Sequence, residues 1–275
     1  MPNVRRILPL LAVAAAMASA ASLGAHDFFL RATAWEVPAD TTLVLAAYNG
    51  TFSRSANAVT ADRLVSLVMA RNGQVMSLPP SVWAAAPDST AHVTLESGAA
   101  GTLVVGAATA PRVLALSAGE FNAYLADDGI PDELTARRRD GTASQPSRES
   151  YAKAVKAVLR VGGRAGGGHD VVLGHEVELV PLDDPYTIRR GGILRIRALG
   201  NGQPLAKQLV LAGGRQAAGA RIPVQEVRTD AEGIARIRLT HRGSWYAKTI
   251  RMERRPAGDS LTHVSRWASL TFGAR

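Results

Sequence analysis

Short apolar runs separated by turn residues fill the chain between residues 26 and 116. The clearest pair spans residues 64–70 and 74–78 and flanks Asn72-Gly73. An Asn-Gly dipeptide between two such runs favours a β-hairpin, because both central residues of a type I′ turn need a positive φ. Further runs of this kind cover residues 42–48, 92–96, 102–106 and 112–116. Strands at this spacing predict an N-terminal antiparallel β-sandwich over residues 26–116.

The pattern becomes helical after residue 116. Ser117 and Glu120 form a capping box, in which the side chain of each residue bonds the backbone N–H of the other. The apolar residues that share the next helical face are Phe121, Tyr124 and Leu125. The sequence therefore predicts a short helix that ends near residues 129–131, followed by an exposed polar connection over residues 132–147.

A second helical period begins at Ser147. Its apolar face would carry Tyr151, Val155, Val158 and Leu159. Gly162-Gly163 would end this helix, because glycine is a poor helix former and is common just past a helix. The two helical segments predict a helical connector over residues 117–162.

Strand-like runs return after residue 170. They cover residues 195–199, 209–212, 224–228, 234–239 and 245–252. This pattern predicts a C-terminal antiparallel β-sandwich over residues 170–275. The predicted fold class is therefore mainly β, with two antiparallel sandwiches, Ig-like or transthyretin-like, joined by a short helical segment.

Residues 1–25 have the features of a signal peptide. Two arginines precede an apolar stretch over residues 7–18, which is shorter than the about 20 residues that a membrane-spanning helix needs. Cleavage after Ala20 follows the A-x-A rule and is favoured on that ground, whereas cleavage after Ala25 would leave His26 as the first residue. The mature protein is expected to be periplasmic or secreted, without a membrane span.

Composition restricts the chemistry further. Cysteine is absent, so disulfides, thiolate-held metals and a cysteine nucleophile are excluded. The formal net charge is +9, but the basic residues are not interleaved with aromatic ones as a stacking surface requires, and we expect no nucleic-acid partner. The sequence also lacks G-x-S-x-G and H-E-x-x-H motifs, and we predict no catalytic residue.

Four residues are candidate ligands for a divalent transition metal. His26 would be the strongest donor if cleavage exposes it, because a terminal histidine offers its α-amino nitrogen and a ring nitrogen to one ion. Asp27 beside it offers a carboxylate, and His241 and His263 could supply further imidazoles. Imidazole suits several late transition metals, so nickel, cobalt and copper are all candidate cofactors.

Several ordered fragments carry a family resemblance across nearly the whole mature chain. They are Ala25-His26-Asp27-Phe28-Phe29-Leu30, Asn49-Gly50-Thr51-Phe52, Phe121-Asn122-Ala123-Tyr124-Leu125, Gly202-Gln203-Pro204-Leu205, Gly243-Ser244-Trp245 and Trp267-Ala268-Ser269-Leu270-Thr271-Phe272. Together they resemble an exported bacterial domain-of-unknown-function family with an AHDFW-like start, whose members are often labelled nickel-uptake, substrate-specific proteins. The C-terminal fragments also resemble carboxypeptidase-regulatory and transthyretin-like modules, which are usually accessory domains.

The resemblance implies a periplasmic protein connected with transition-metal uptake or handling. One position departs from the family pattern, because members commonly carry a histidine immediately before Met252 and this chain has Arg251 there. A cation at that position would repel a bound metal ion.

Three functions follow from these observations, in order of preference. The first is a non-catalytic accessory protein that binds nickel, cobalt or copper, with a metal-uptake transporter or an outer-membrane receptor as its partner. The second is an envelope-associated β-sandwich module that binds a protein or a glycan and no metal. The third is a copper oxygenase, whose histidine brace would need His26 at the mature terminus.

Overall fold

The computed structural model describes residues 26–163 and 166–275 of the 275-residue chain. The predicted signal peptide, residues 1–25, lies outside the described residues. The chain is mainly β, as predicted. Its strands, in chain order, are β1 (Asp27–Ala32), β2 (Glu36–Val37), β3 (Thr42–Gly50), β4 (Leu64–Arg71), β5 (Gln74–Ser77), β6 (Trp83–Ala85), β7 (Ala91–Glu96), β8 (Gly101–Thr109), β9 (Arg112–Leu116), β10 (Ser147–Val161), β11 (Val177–Pro181), β12 (Ile193–Gly200), β13 (Gln203–Pro204), β14 (Leu209–Gln216), β15 (Arg221–Arg228), β16 (Ile234–Arg238), β17 (Gly243–Arg254) and β18 (His263–Ala274).

Two α-helices lie between β9 and β10. They are α1 (Ala118–Asp127) and α2 (Pro131–Arg139), and single 3₁₀ turns occur at Ala61–Arg63 and Pro80–Val82. Within this described part of the chain, no helix is long and apolar enough to cross a bilayer.

The described strands form three sheets. The N-terminal sheet has the order β1-β3-β7-β6. The central sheet has ten strands in the order β15-β14-β17-β18-β10-β8-β4-β5, with β2 and β9 also paired to β10. The C-terminal sheet is built around β12, which pairs with β11, β13 and β16. Strand β10 runs parallel to β18 and β2, and the sheets are otherwise antiparallel in the described residues.

The helix predicted from residue 147 is wrong, because this segment is strand β10. Its residues 149–158 pair in parallel with residues 263–272 of β18, in the middle of the central sheet. Side chains on both of its faces are buried, so the segment lacks the alternation that marks a half-exposed strand. Lys153 and Lys156 project from opposite faces and both are buried. The helical connector predicted over residues 117–162 is therefore confined to α1 and α2.

Helix α1 forms where the capping box predicts it. The Ser117 hydroxyl accepts a hydrogen bond from the Glu120 N–H, and the Glu120 carboxylate accepts one from the Ser117 N–H. The predicted apolar face is buried, and its residues are Phe121, Tyr124 and Leu125. The start of this helix is thus confirmed at the level of individual hydrogen bonds.

The exposed connection predicted over residues 132–147 is wrong in its first half, because α2 occupies it. Proline is favoured at the first helical position, and α2 begins at Pro131. Asp132 and Glu133 lie in the first turn and three arginines lie in the last, which matches the helix dipole at both ends. These signals were present in the sequence.

One hydrophobic core runs through all three sheets. The same cluster contains Leu45 of the N-terminal sheet, Leu159 of the central sheet and Ile237 of the C-terminal sheet. The central sheet also contains strands from both regions that were predicted as sandwiches. The boundaries 26–116 and 170–275 stay predictions, although a sheet and a core run across them.

Strand β1 lies against the central sheet without being one of its strands. The Ser269 hydroxyl donates to the carbonyl oxygen of Phe28 at 2.5 Å, and the Thr271 hydroxyl donates to that of Leu30 at 2.6 Å. Both hydroxyls belong to β18, so side chains of the last strand hold the backbone of the first. This contact positions the beginning of β1, where the candidate site lies.

Candidate functional site

Charged side chains converge at the start of β1. This strand brings Asp27 to Lys248 of β17. Asp128, the residue that caps the C-terminus of α1, and Lys153 of β10 lie close enough for their charges to interact with this pair. We call these four residues, Asp27, Asp128, Lys153 and Lys248, the lysine–aspartate cluster.

Lys248 joins the two carboxylates of the cluster. Its ammonium donates to both carboxylate oxygens of Asp27, at 2.9 and 2.7 Å, and lies 3.6 Å from Asp128 Oδ1. Burial lowers the pKa of Lys248, but Asp27 and Asp128 outweigh this effect and the pKa lies above its ordinary value. Lys248 therefore stays charged, and both oxygens of Asp27 are engaged.

Lys153 is the more deeply buried lysine of the cluster. Its ammonium donates to the main-chain carbonyl of His26 and to Asn49 Oδ1, the latter at 3.0 Å. It also lies over the rings of Tyr151 and Trp267, 5.5 and 5.4 Å from their centroids. Burial lowers the pKa of Lys153 to about 8, although the cluster carboxylates oppose this shift.

Asp128 is the carboxyl group of the cluster with the weakest contact to a cation. Burial raises its pKa to about 7, while Lys248 opposes the shift and Asp27 adds to it. Near neutral pH this group is therefore divided between its protonated and ionised forms. The adjacent Asp127 is exposed and does not belong to the cluster.

His26 lies at the edge of the cluster, immediately before β1. Lys153 fixes its main-chain carbonyl, while its side chain is half-buried. Burial and the Lys153 charge lower the pKa of the imidazole, and Asp27 opposes them. The ring is thus neutral at neutral pH, which is the form that binds a metal ion.

The structure does not bring the other predicted imidazoles to His26. His263 begins β18, four residues or about 13 Å along the strand from Trp267, the residue opposite Lys153. Its Nε2 lies 3.2 Å from Glu133 Oε1. Within residues 26–163 and 166–275, no group of three histidine, aspartate or glutamate side chains could hold a metal ion.

His241 lies elsewhere again, between β16 and β17, with Nδ1 2.8 Å from Thr240 Oγ1. Of the four predicted ligands, only His26 and Asp27 are neighbours, and Lys248 occupies the carboxylate of Asp27. The metal-binding roles of His26, Asp27, His241 and His263 stay predictions.

Sequence reasoning missed three of the four cluster residues. Lys153 and Lys248 each have apolar or small residues on both sides, and a charged residue in such surroundings is usually paired when it is buried. That signal was available. No comparable signal singled out Asp128, because an aspartate at a helix end is normally exposed.

The fold and the cluster define a mainly β protein in which charged side chains are buried between the first strand and a central sheet. The chain belongs to the family described as "Domain of unknown function (DUF4198)", whose model matches residues 23–253. This confirms the resemblance to a domain-of-unknown-function family, whose description names no reaction. A comparison with curated proteins finds no match.

Among solved structures, the chain is similar to alpha-2-macroglobulin from Escherichia coli in two states. The trypsin-activated form shares 12% identity with a TM-score of 0.22, over 90% of this chain and 16% of that one. The native form, studied by cryo-EM, shares 12% identity with a TM-score of 0.23, over 90% of this chain and 14% of that one. The chain therefore spans about a sixth of the length of these structures.

Proposed function

We propose that this chain is an exported, non-catalytic accessory protein that binds a nickel, cobalt or copper ion at His26. The observation that carries the proposal is the position of His26 at the start of β1. Its main-chain carbonyl is fixed by a buried lysine, and its neutral side chain is half-exposed. The backbone is therefore held in place while the ring stays accessible to an ion.

The donor set at this position suits transfer of a metal better than storage. His26 offers a ring nitrogen, and cleavage after Ala25 would add the α-amino nitrogen. Asp27 is not free to bind, because both of its oxygens accept from Lys248. Two protein donors leave most positions of a metal ion open to water or to a receiving protein. A metal-uptake transporter or an outer-membrane receptor would be that recipient.

The first experiment measures the intact mass and the metal content of the exported mature protein. A mass that begins at His26, with near-stoichiometric nickel, cobalt or copper, supports the proposal. His26→Ala should abolish metal retention, and His92→Ala is the matched control because His92 lies on β7 and is not one of the predicted ligands. Equal metal content in the wild-type protein and the His26→Ala variant would overturn the proposal.

A second function is favoured by a different surface. Arg195 of β12 and Arg236 of β16 lie directly opposite each other on the exposed side of the C-terminal sheet. Arg197 and Arg238 follow them on the same face, since side chains alternate along a strand. Like charges directly opposite are unfavourable, although Asp183 and Asp230 each pair with one of the first two.

This arginine face supports an envelope-associated module that binds an acidic protein or glycan without a metal. Such a protein would be retained on purified envelope fractions in a salt-dependent way, and Arg238→Met would weaken the retention. Metal-free mature protein beginning at Ala21, together with this retention, would favour the second function over the first.

A further inference from the structure

Arg31 is a partly buried cation at the other end of β1 from His26. Its guanidinium lies over the rings of Tyr48 and Phe52, 4.8 and 4.9 Å from their centroids. Its Nε is inaccessible to solvent and has no hydrogen-bond partner among the described residues. A buried donor without a partner costs free energy, so the described residues satisfy this guanidinium only in part.

A second guanidinium, that of Arg215, lies close enough for its charge to act on Arg31, and neither arginine forms an ion pair among residues 26–163 and 166–275. Burial lowers the pKa of Arg31, and the positive charge of Arg215 lowers it further. Arg215 donates to Ser53 Oγ at 2.7 Å and to the Gly219 carbonyl at 2.6 Å, both of which are neutral acceptors. Arg215 is thus held by neutral contacts, and an anion near the two guanidinium groups would stabilise both.

Both arginines line a cavity of about 560 Å³, which is within the usual range for sites that take small molecules. Arg242 lines it as well, and its one acidic lining residue in the described chain, Glu36, is already paired with Arg275. Counted by side chains, the four lining arginines and one glutamate leave this wall with an excess of three positive charges. We call this site the arginine cavity.

The back of the arginine cavity is rigid. Trp35 Nε1 donates to Ser244 Oγ at 2.7 Å, and the buried Tyr186 hydroxyl donates to the carbonyl oxygens of Trp35 and Val158. These contacts fix two aromatic side chains of the wall. A ligand would therefore enter a site that is already formed, which lowers the entropic cost of binding.

We infer that the arginine cavity binds a small, multiply charged anion, whose phosphate or carboxylate oxygens accept hydrogen bonds from Arg31 and Arg215. Guanidinium groups suit this task because their donors match the geometry of an oxyanion in pairs. Because the Arg31 guanidinium lies over the rings of Tyr48 and Phe52, these rings hold it in one orientation. The site is separate from His26, and it does not depend on metal binding.

The experiment measures binding of inorganic phosphate and of citrate to the mature protein by calorimetry, with chloride at equal ionic strength as the reference. Phosphate tests for a ligand that binds through a phosphate group, and citrate tests for one that binds through carboxylates. Arg31→Met should weaken binding at least about tenfold, because it removes the charge and keeps most of the length. The affinity of the Arg31→Lys variant should fall between those of the wild-type protein and Arg31→Met, since lysine keeps the charge and loses the paired donors.

Arg189→Met is the matched control, since Arg189 is exposed and is not part of the cavity wall. It should leave the affinity unchanged. If Arg31→Met fails to fold, Arg215→Met tests the same site from the other side. Absence of binding at millimolar phosphate and citrate, or equal loss in Arg189→Met and Arg31→Met, would overturn the inference.

Discussion

The two ends of β1 differ in how far their buried charges are paired with opposite charges. Asp27 and Arg31 project from the same face of the strand, four residues or about 13 Å apart. At the first end, two lysines and two aspartates form a balanced group in which Lys248 contacts both carboxylates. At the second end, Arg31 and Arg215 line one cavity, and neither has an acidic partner in the part of the chain that the structure describes. A balanced buried cluster is explained by the fold, whereas an unbalanced one indicates a ligand that the chain does not supply.

The largest effect is expected at the balanced end. Lys248→Met leaves Asp27 and Asp128 buried without their shared cation, and it should lower the free energy of unfolding by about 3–5 kcal/mol. Urea denaturation at neutral pH measures this change. The loss should be smaller at pH 5, where the carboxyl group of Asp128, with its pKa of about 7, is protonated. An equal loss at both pH values would contradict the interpretation of Asp128 as a partner of Lys248.

A smaller effect concerns the pH dependence of stability. Burial raises the pKa of Asp128 from 3.8 to about 7. Between these values the folded protein holds a proton that the unfolded chain has released, so this group makes the free energy of unfolding fall as the pH rises. Asp128→Asn should remove that decline and stabilise the chelator-treated protein at pH 7.5 by about 1–2 kcal/mol. The same substitution should change the free energy of unfolding little at pH 4.

The exposed neighbour provides the control for this measurement. Asp127→Asn removes the same charge from the adjacent position, and it should leave the pH profile of unfolding unchanged. A profile that changes equally in both variants would show that the overall charge, rather than the buried carboxyl group, controls the slope.

The smallest effect is expected at the unbalanced end, and it has the opposite sign. Arg31→Met should raise the free energy of unfolding in anion-free buffer by up to about 1 kcal/mol, because it removes an unpaired buried cation and keeps the packing on Tyr48 and Phe52. Urea denaturation with and without phosphate checks this, and phosphate should stabilise only the wild-type protein. Arg236→Met, which removes an exposed paired arginine, should instead lower stability by about 0.5 kcal/mol or less. A loss of several kcal/mol in Arg31→Met would show that the chain already stabilises this cation.

Local signals predicted local structure well. The Ser117–Glu120 capping box and the Asn72-Gly73 turn, with φ values of 48° and 88°, are both present because neighbouring residues alone determine them. Strand β10 was missed for the opposite reason. Its longest pairing is with β18, more than a hundred residues away in sequence, and burial on both faces removed the alternation that would have marked it.

The candidate site also combines residues that are adjacent in sequence with residues that only the fold brings together. His26 and Asp27 were found because they are adjacent in sequence, but the partner of Asp27 is 221 residues away. Nothing in the sequence singled out Arg31, since only the folded chain shows that it has no carboxylate partner among the described residues. A sequence records which residues carry charge, while the balance of charges around each one depends on contacts that form over long distances.

The hydrogen bonds from Ser269 and Thr271 to the backbone of β1 also imply that β1 becomes fixed late in folding. The donors and acceptors are 241 residues apart in the chain. During synthesis the first strand emerges early, but the strand whose hydroxyls hold it is among the last to appear. Long-range contacts of this kind form late in folding. Strand β1 therefore gains its fixed position only when β18 has joined the sheet, and loss of β18 would undo a site built on the first residues of β1.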